Sequence, residues 1–240
     1  MKRLLKQIMF CIAMLFSRNR KSKVFYYHDL GTAHTDMGTD ISLFLKHLSV
    51  FEKEGFSVVE QITEPENQVM ICFDDGWRGL YENREVLLSR GIHPTVFIAV
   101  DLIGEKGYLT ESQISELHSL GFGFQSHSWS HNDLTEFSGD ALDKELSGAK
   151  KHLEQQFGWS FDSICYPMGR HSDKVCQGCL KAGYKLQYTS ISGGYYDMMG
   201  KKQVCRNCAQ YSSPKELRMM LLSTSRLFRR HLRALHYVKA

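Results

Sequence analysis

Two short segments of the sequence bring together side chains that bind metals and side chains that move protons. Asp74 and Asp75 are adjacent in the segment Phe-Asp-Asp-Gly, and His127 and His131 stand four residues apart. Two imidazole nitrogens and one carboxylate oxygen form a three-ligand site that leaves a coordination position open for water, as in catalytic zinc sites. The remaining carboxylate can then act as a general base beside the metal. The pattern therefore indicates metal-assisted hydrolysis.

Neither segment is specific on its own, because Asp-Asp-Gly is common in turns and a histidine pair at this spacing is more often structural. Their position in the chain adds weight. Each segment follows a short apolar run, and so does a third segment, Tyr-Pro-Met-Gly at residues 166–169. Active sites of (β/α) barrels are built at the carboxyl ends of strands. We therefore expect the three segments to meet at one face of a barrel.

Short runs rich in β-branched and aromatic residues alternate with runs of helical spacing. The predicted strands are Val24–Tyr27, Val69–Phe73, Thr95–Val100, Phe122–Ser126, Ile164–Tyr166, Lys185–Thr189 and Val204–Cys208. The predicted helices are Ile41–Glu54, Leu80–Arg90, Thr110–Leu120, Ala141–Phe157 and Lys174–Ala182. Repeated βα units build a parallel sheet. About seven of them predict a single-domain α/β fold with a closed or nearly closed barrel.

In combination, these motifs resemble the polysaccharide deacetylase family, which contains the NodB homology domain, from about residue 24 to residue 213. The resemblance implies a distorted (β/α) barrel with Asp74 as catalytic base and one divalent metal, most simply Zn²⁺ although other divalent transition metals are possible. It implies Asp75, His127 and His131 as the metal ligands. It also implies that four residues form a groove wall with an oxyanion donor: Tyr166, Pro167, Met168 and Gly169. Proline has no N–H, so the donor would be Met168.

The sequence departs from the family pattern in two places. Cys165 stands where many members have an arginine that orients the base, and Arg170 is a candidate to supply that charge. The usual Leu-x-His strand, the family's source of the general acid, is missing from the C-terminal part. His28, at the end of the first predicted strand, is a candidate acid or a residue that supports the site by hydrogen bonding. Trp77 could stack on a sugar ring or make a lid contact.

The resemblance implies removal of N-acetyl or other N-acyl groups from an amino-sugar-containing glycan or a lipid-linked saccharide. Two alternatives remain open at this point. A relative acting on a non-glycan amide would keep the same four acidic and histidine residues around a closed pocket. A non-catalytic carbohydrate-binding relative would explain the missing general acid.

The charge of the chain is unevenly distributed, which bears on its partners. Residues 1–23 and residues 214–240 carry seven Lys and Arg each, and the two segments together hold one acidic residue. The acidic body, residues 24–213, therefore holds 16 of the 30 basic and 25 of the 26 acidic residues. Such a body does not suggest a nucleic-acid groove. Both basic ends show helical apolar spacing, and the apolar run 8–16 is too short to span a bilayer. They predict docking on a membrane surface or packing on the barrel.

The seven cysteines favour a reducing compartment, and the sequence therefore predicts a cytoplasmic protein, peripheral at the membrane; the alternative is export with an uncleaved signal anchor. Two Cys-x-x-Cys pairs have the spacing of a structural zinc site. Their cysteines are Cys176, Cys179, Cys205 and Cys208. The first pair falls in a predicted helix and the second in a strand where its thiols would face opposite sides. Free buried thiols are therefore favoured.

Overall fold

The computed structural model describes residues 19–32 and 34–223. The strands are β1 Lys23–Tyr27, β2 Asp29–Leu30, β3 Gly38–Thr39, β4 Ser57–Val59, β5 Gln68–Phe73, β6 Thr95–Ile98, β7 Gly123–Ser126, β8 Ser163–Cys165, β9 Leu186–Tyr188, β10 Gln203–Val204 and β11 Arg206–Cys208. The helices are α1 Ile41–Lys53, α2 Gly79–Glu82, α3 Arg84–Leu88, α4 Glu111–Ser119, α5 Gly139–Asp143, α6 Ala149–Phe157, α7 Asp173–Lys181 and α8 Pro214–Leu222, with a π-helical turn Lys144–Gly148 between α5 and α6.

Nine strands form one parallel sheet in the order β10-β9-β8-β7-β6-β5-β1-β11, with β4 added beside β5. Only Cys205 separates β10 from β11, and these two strands pair with β9 and β1 respectively. The stretch 203–208 therefore joins the last strand of the sheet to the first. Counted as one strand, it makes seven with β1, β5, β6, β7, β8 and β9, which confirms the predicted distorted barrel.

All seven predicted strands are present, with ends that differ by one or two residues. The predicted helix 80–90 is two short helices, because they break at Asn83, whose side chain donates to the carbonyls of Leu30 and Gly79. The predicted helix 141–157 contains the π-helical turn. The capping box predicted at Thr110 and Gln113 is formed at the start of α4.

The alternation of side chains along the strands sets the two sides of the barrel wall. In β5, Val69, Ile71 and Phe73 pack toward the surrounding helices, in one cluster with Phe44 and Phe51 of α1. Met70 and Cys72 face the interior, together with Phe97 and Val204. Because the side-chain period of a strand is two residues, the next interior position after Cys72 is Asp74.

Helix α8 belongs to the barrel, since Leu217, Leu221 and Leu222 are buried in the main core cluster. The barrel therefore extends beyond residue 213, where the sequence placed the start of a basic tail. The rest of that tail and the basic segment up to residue 18 lie outside the described residues, so membrane docking stays a prediction. Among the helices that are described, none is long and apolar enough to cross a bilayer.

Candidate active site

The two adjacent carboxylates lie at the carboxyl end of β5, where the chain leaves the sheet. The Asp74 N–H donates to the carbonyl of Tyr27 at 2.9 Å, which extends the pairing of β5 with β1 by one residue. Asp75 has φ of 71° and Gly76 has φ of 77°, so the strand geometry ends there. This left-handed turn lets the two neighbouring carboxylates lie on the same side of the barrel mouth, with Asp74 deeper inside.

The histidine segment follows β7 in a similar way. The His127 N–H donates to the carbonyl of Ile98 at 2.7 Å. Ser128 and His131 both have positive φ, 70° and 60°, which folds the segment into a tight loop and brings the two imidazoles to 4.9 Å between ring centroids. The buried carboxylate of Glu145, on the π-helical turn, accepts hydrogen bonds from the N–H groups of Trp129 and Ser130 and holds the loop.

Asp75, His127 and His131 together form a group that could hold a metal ion. Asp75 Oδ1 lies 3.3 Å from His127 Nε2 and 3.0 Å from His131 Nε2. The His127 Nδ1–H donates to the carbonyl of Cys165 at 2.8 Å, which leaves a lone pair on Nε2 of the neutral ring. This lone pair faces Asp75 Oδ1, which is buried and accepts no hydrogen bond of good geometry.

This arrangement fits a small divalent cation. Acceptor atoms at such short range repel each other unless a positive charge lies between them. A tetrahedral ion with bonds of about 2.1 Å separates its ligands by roughly 3.4 Å, close to the separations observed here. Two imidazoles and one carboxylate, with the histidine tautomer fixed by a backbone carbonyl, are a donor set that suits zinc.

Asp74 is not part of this group, because its carboxylate is bound to a buried arginine. Arg206 Nη1 donates to Asp74 Oδ1 at 2.6 Å and Nη2 donates to Oδ2 at 2.8 Å. The Arg206 Nε–H donates to the carbonyl of Thr189 at 3.0 Å, and the guanidinium carbon lies 4.3 Å from the ring centre of Tyr26 and 5.4 Å from that of Phe97. A planar cation between two aromatic faces is stabilised by cation–π attraction.

The arginine fixes the charge of the base. Burial raises the pKa of Asp74, but the Arg206 guanidinium outweighs burial and lowers that pKa below its usual value. Asp74 is therefore an ionised carboxylate held in one orientation. A general base of this kind can accept a proton from water beside a metal.

A second group, Asp74 with His127 and Cys165, also has donor atoms close together. Arg206 Nη2 lies 2.8 Å from Cys165 Sγ, so a fixed positive charge already occupies this side of the base. Burial raises the pKa of the Cys165 thiol well above its usual value, which keeps it neutral. A cation is therefore better accommodated by the group that contains Asp75.

The comparisons with known proteins identify the family of the chain. Residues 61–187, more than half of the chain, match the family described as polysaccharide deacetylase. The chain belongs to this family. It is 30% identical over 143 residues to the Bacillus subtilis protein YxkH, whose name places it in the same family; the match covers 59% of this chain and 51% of that protein. The chain spans about half the length of the curated relatives it matches.

Solved structures of deacetylases share the fold. The deacetylase PplD of Streptococcus pyogenes, in complex with acetate, superposes with a TM-score of 0.71 at 23% identity, covering 84% of this chain and 98% of PplD. A polysaccharide deacetylase from Bacillus cereus gives a TM-score of 0.72 at 22% identity, covering 84% of this chain and 69% of the other. At these identities the likeness concerns the fold.

The arginine is where this member of the deacetylase family departs from the sequence-based expectation. Arg170 does not reach the base; its Nε forms an ion pair with Asp133 Oδ2 at 2.6 Å, and its side chain is 44% exposed. The charge beside Asp74 comes from Arg206, which sequence reasoning missed. One signal could have found it: Arg206 follows Val204 at the interior period of a predicted strand, where a charged residue needs a partner.

The Tyr-Pro-Met-Gly segment lies in a 3₁₀ turn after β8. Tyr166 is buried, and its hydroxyl contacts Gln187 and Cys176, so its side chain lies inside the barrel wall and not on a groove surface. Gly169 donates its N–H within the turn, to the carbonyl of Tyr166. Met168 has φ of 54° and is 53% exposed, so it forms the solvent-exposed tip of the turn, next to the buried Pro167.

His28 and Trp77 both lie at the barrel mouth. His28 directly follows β1, and its Nδ1 contacts the Gln210 side-chain carbonyl. Because Tyr27 pairs with Phe73, His28 and Asp74 occupy matching positions directly after two neighbouring strands. Trp77 stacks on Tyr108, with ring centroids 4.1 Å apart and planes 27° apart, and its Nε1–H donates to Asp75 Oδ2 at 3.1 Å.

Cys176, Cys179 and Cys208 form no disulfide among the described residues. Cys176 Sγ contacts the Tyr166 hydroxyl and the Gln203 side chain. Neither metal-capable group found in residues 19–32 and 34–223 includes a Cys-x-x-Cys cysteine.

Proposed function

We propose that this chain is a metal-dependent hydrolase that removes N-acetyl groups from amino sugars in a glycan or a lipid-linked saccharide. The observation that carries the proposal is that two adjacent carboxylates have different neighbours, one suited to bind a metal and one suited to accept a proton. Asp75 faces His127 and His131, while Asp74 is held by Arg206. Family membership supports the reaction class, and the acetate in the PplD structure is the product expected from such a reaction.

Asp75, His127 and His131 would hold the ion, preferentially Zn²⁺, and the bound ion would polarise the acyl carbonyl and acidify a water molecule. Asp74 takes the proton from that water, since Arg206 keeps its carboxylate ionised. The Met168 N–H, at the exposed tip of its turn, donates to the oxyanion that forms from the carbonyl.

The departing amine needs a proton, and His28 is the residue that we assign to supply it. Because a carbonyl oxygen accepts from Nδ1, that nitrogen carries the hydrogen, and Nε2 is the atom that gains or loses a proton. His28 follows β1 as Asp74 follows β5, and the two strands pair through Tyr27 and Phe73, so both residues lie at the carboxyl ends of the strands. In this assignment the departing amine takes a proton from His28 Nε2, and Asp74 keeps the proton of the water until both groups exchange with solvent.

The test is release of acetate from N-acetylated amino-sugar oligomers by the full chain loaded with zinc, with His131→Ala as the metal-site control. We expect acetate from the wild type and neither tight metal binding nor acetate from the variant. Release only from simple amides would favour the non-glycan alternative. Binding of the oligomers without release would favour a carbohydrate-binding relative.

We also propose that the basic ends dock the protein on an anionic membrane surface, in the cytoplasm. The Asn19 N–H donates to the carbonyl of Leu222 at 3.0 Å, and its Nδ2 donates to that of Ser223 at 3.2 Å. Both ends therefore leave the barrel together, near the amino end of β1. Asp74 lies at the carboxyl ends of the strands, so a membrane at the ends would leave the active site facing away from it.

A further inference from the structure

The two oxygens of the Asp75 carboxylate have different neighbours. Oδ1 faces Nε2 of His127 and His131. Oδ2 accepts a hydrogen bond of 3.1 Å from Nε1 of Trp77. The indole N–H is a donor only, so it cannot exchange roles with the carboxylate.

The indole is fixed by a second segment of chain. Trp77 forms an antiparallel bridge with Tyr108 and stacks on its ring. On either side of the bridge, the Leu109 N–H donates to the carbonyl of Gly76 and the Arg78 N–H donates to that of Gly107, each at 2.8 Å. A Cβ on Gly107 would lie 3.4 Å from the indole ring, an ordinary contact distance, so the backbone at Gly107 passes beside the ring. The indole therefore has little freedom to rotate away.

We infer that Trp77 is a positioning residue that holds Asp75 Oδ2, so that only Oδ1 is offered to the metal. This inference rests on the proposed metal-dependent function. A carboxylate with both oxygens unrestrained can rotate and bind a cation through one or both of them. With Oδ2 held by the indole, the orientation of the carboxylate is set before any ion is bound.

This role differs from stacking on a sugar ring, which is one of the two sequence-based expectations for Trp77; the other is a lid contact. Tyr108 covers one face of the indole, and the polar edge points at Asp75. The two roles predict different losses. A sugar platform affects the KM for the glycan, whereas a support for a ligand affects metal affinity, typically by 10–100-fold.

The test is the substitution Trp77→Phe in the full chain, which keeps an aromatic ring against Tyr108 but removes the N–H. Zn²⁺ affinity is measured by competition with a chromophoric chelator, so that the readout does not depend on activity. We expect the Kd for Zn²⁺ to rise by about 10–100-fold. In the Co²⁺-loaded protein, a change in the visible spectrum would report the altered coordination.

Trp129→Phe is the matched control, since Trp129 lies in the histidine loop but packs against His152 and Lys144 and not against Asp75. We expect its Zn²⁺ affinity to stay within about threefold of the wild type. An unchanged Kd in Trp77→Phe, with or without a higher KM for the glycan, would overturn the inference. If the wild type itself binds no Zn²⁺, the proposed metal-dependent function fails, which is a distinct result.

Discussion

Replacement of Arg206 by glutamine would test whether this residue controls the charge of the base. The guanidinium makes two hydrogen bonds to Asp74, and the two side chains are 1% and 5% exposed. Glutamine keeps a polar side chain but removes the positive charge. Breaking a buried ion pair by removing one partner costs about 3–5 kcal/mol, because the other charge stays buried and uncompensated. We expect a loss of that size in the free energy of unfolding near neutral pH.

The same substitution reverses the direction of the pKa shift of Asp74. With Arg206 present, the pKa lies below its usual value, so Asp74 stabilises the fold above about pH 3.9, and this stability is lost as the pH falls through the folded-state pKa. Without Arg206, burial is the largest remaining influence on this pKa, and we expect it to raise the pKa above the unfolded value. The variant should therefore lose stability as the pH rises above about 3.9, and its deficit should be larger at pH 8 than at pH 5.

Catalysis gives a second readout of the charge. Because the base must be ionised, the acidic limb of the kcat/KM profile should move upward by about 1–3 pH units, the usual effect of a neighbouring opposite charge. Part of the activity lost at pH 7 should return at higher pH. Arg206→Lys, which keeps the charge but loses the paired geometry, should leave the limb closer to that of the wild type.

Arg170→Gln is the matched control, since Arg170 is largely exposed and pairs with Asp133. An exposed pair contributes about 0–1 kcal/mol, and the acidic limb should not move. The assays are urea unfolding at pH 5 and pH 8 and acetate release across the pH range. The reasoning would be refuted by an unchanged acidic limb in Arg206→Gln, above all if Arg170→Gln moved it.

Three further predictions concern the base, the position in the chain from which an arginine can reach it, and the C-terminal basic segment. Asp74→Asn should keep one metal per chain but lower kcat by roughly 10²–10⁴-fold, and equal loss of metal and activity would mean that Asp74 and Asp75 exchange roles. In a double variant, Cys165→Arg should restore part of the activity that Arg206→Ala loses, because Cys165 Sγ lies 3.9 Å from Asp74 Oδ2. No gain over Arg206→Ala alone would show that an arginine at position 165 cannot orient the base. The full chain should float with anionic liposomes, and flotation should decrease at high salt or when the basic residues of 224–240 are changed to glutamine. Equal flotation of the wild type and the glutamine variant would contradict membrane docking by that segment.

The sequence predicted the barrel well because its strands carry local signals. Each of the seven runs combines β-branched or aromatic residues with flanking turn residues, and these preferences need no distant partner. The short strands β2, β3 and β4 were not predicted, since two or three residues are too few to show a period. The break at Asn83 was also missed, because its cause is a hydrogen bond to Leu30, 53 residues away.

The sequence predicted the site residues that are close together in the chain, and it did not predict the residue that contacts the site from a distant segment. His127 and His131 are close in sequence, and Asp75 follows a clear strand. Arg206 acts on Asp74 from 132 residues away, so nothing near either residue in the sequence links them. Glu145 is a similar case, because its carboxylate caps a loop that ends 14 residues earlier and because a π-helical turn sets its position.

The active-site loops concentrate backbone strain, and the barrel explains how they retain it. Of the six non-glycine residues with positive φ in the described ranges, four lie at the site: Asp75, Ser128, His131 and Met168. Such conformations cost of the order of 1–3 kcal/mol each and persist only where the surroundings impose them. The surroundings here include backbone hydrogen bonds from neighbouring segments, such as Val100 N–H to the Ser128 carbonyl and Leu109 N–H to the Gly76 carbonyl. These hydrogen bonds hold the loops, so the ligand set is positioned before any ion is bound.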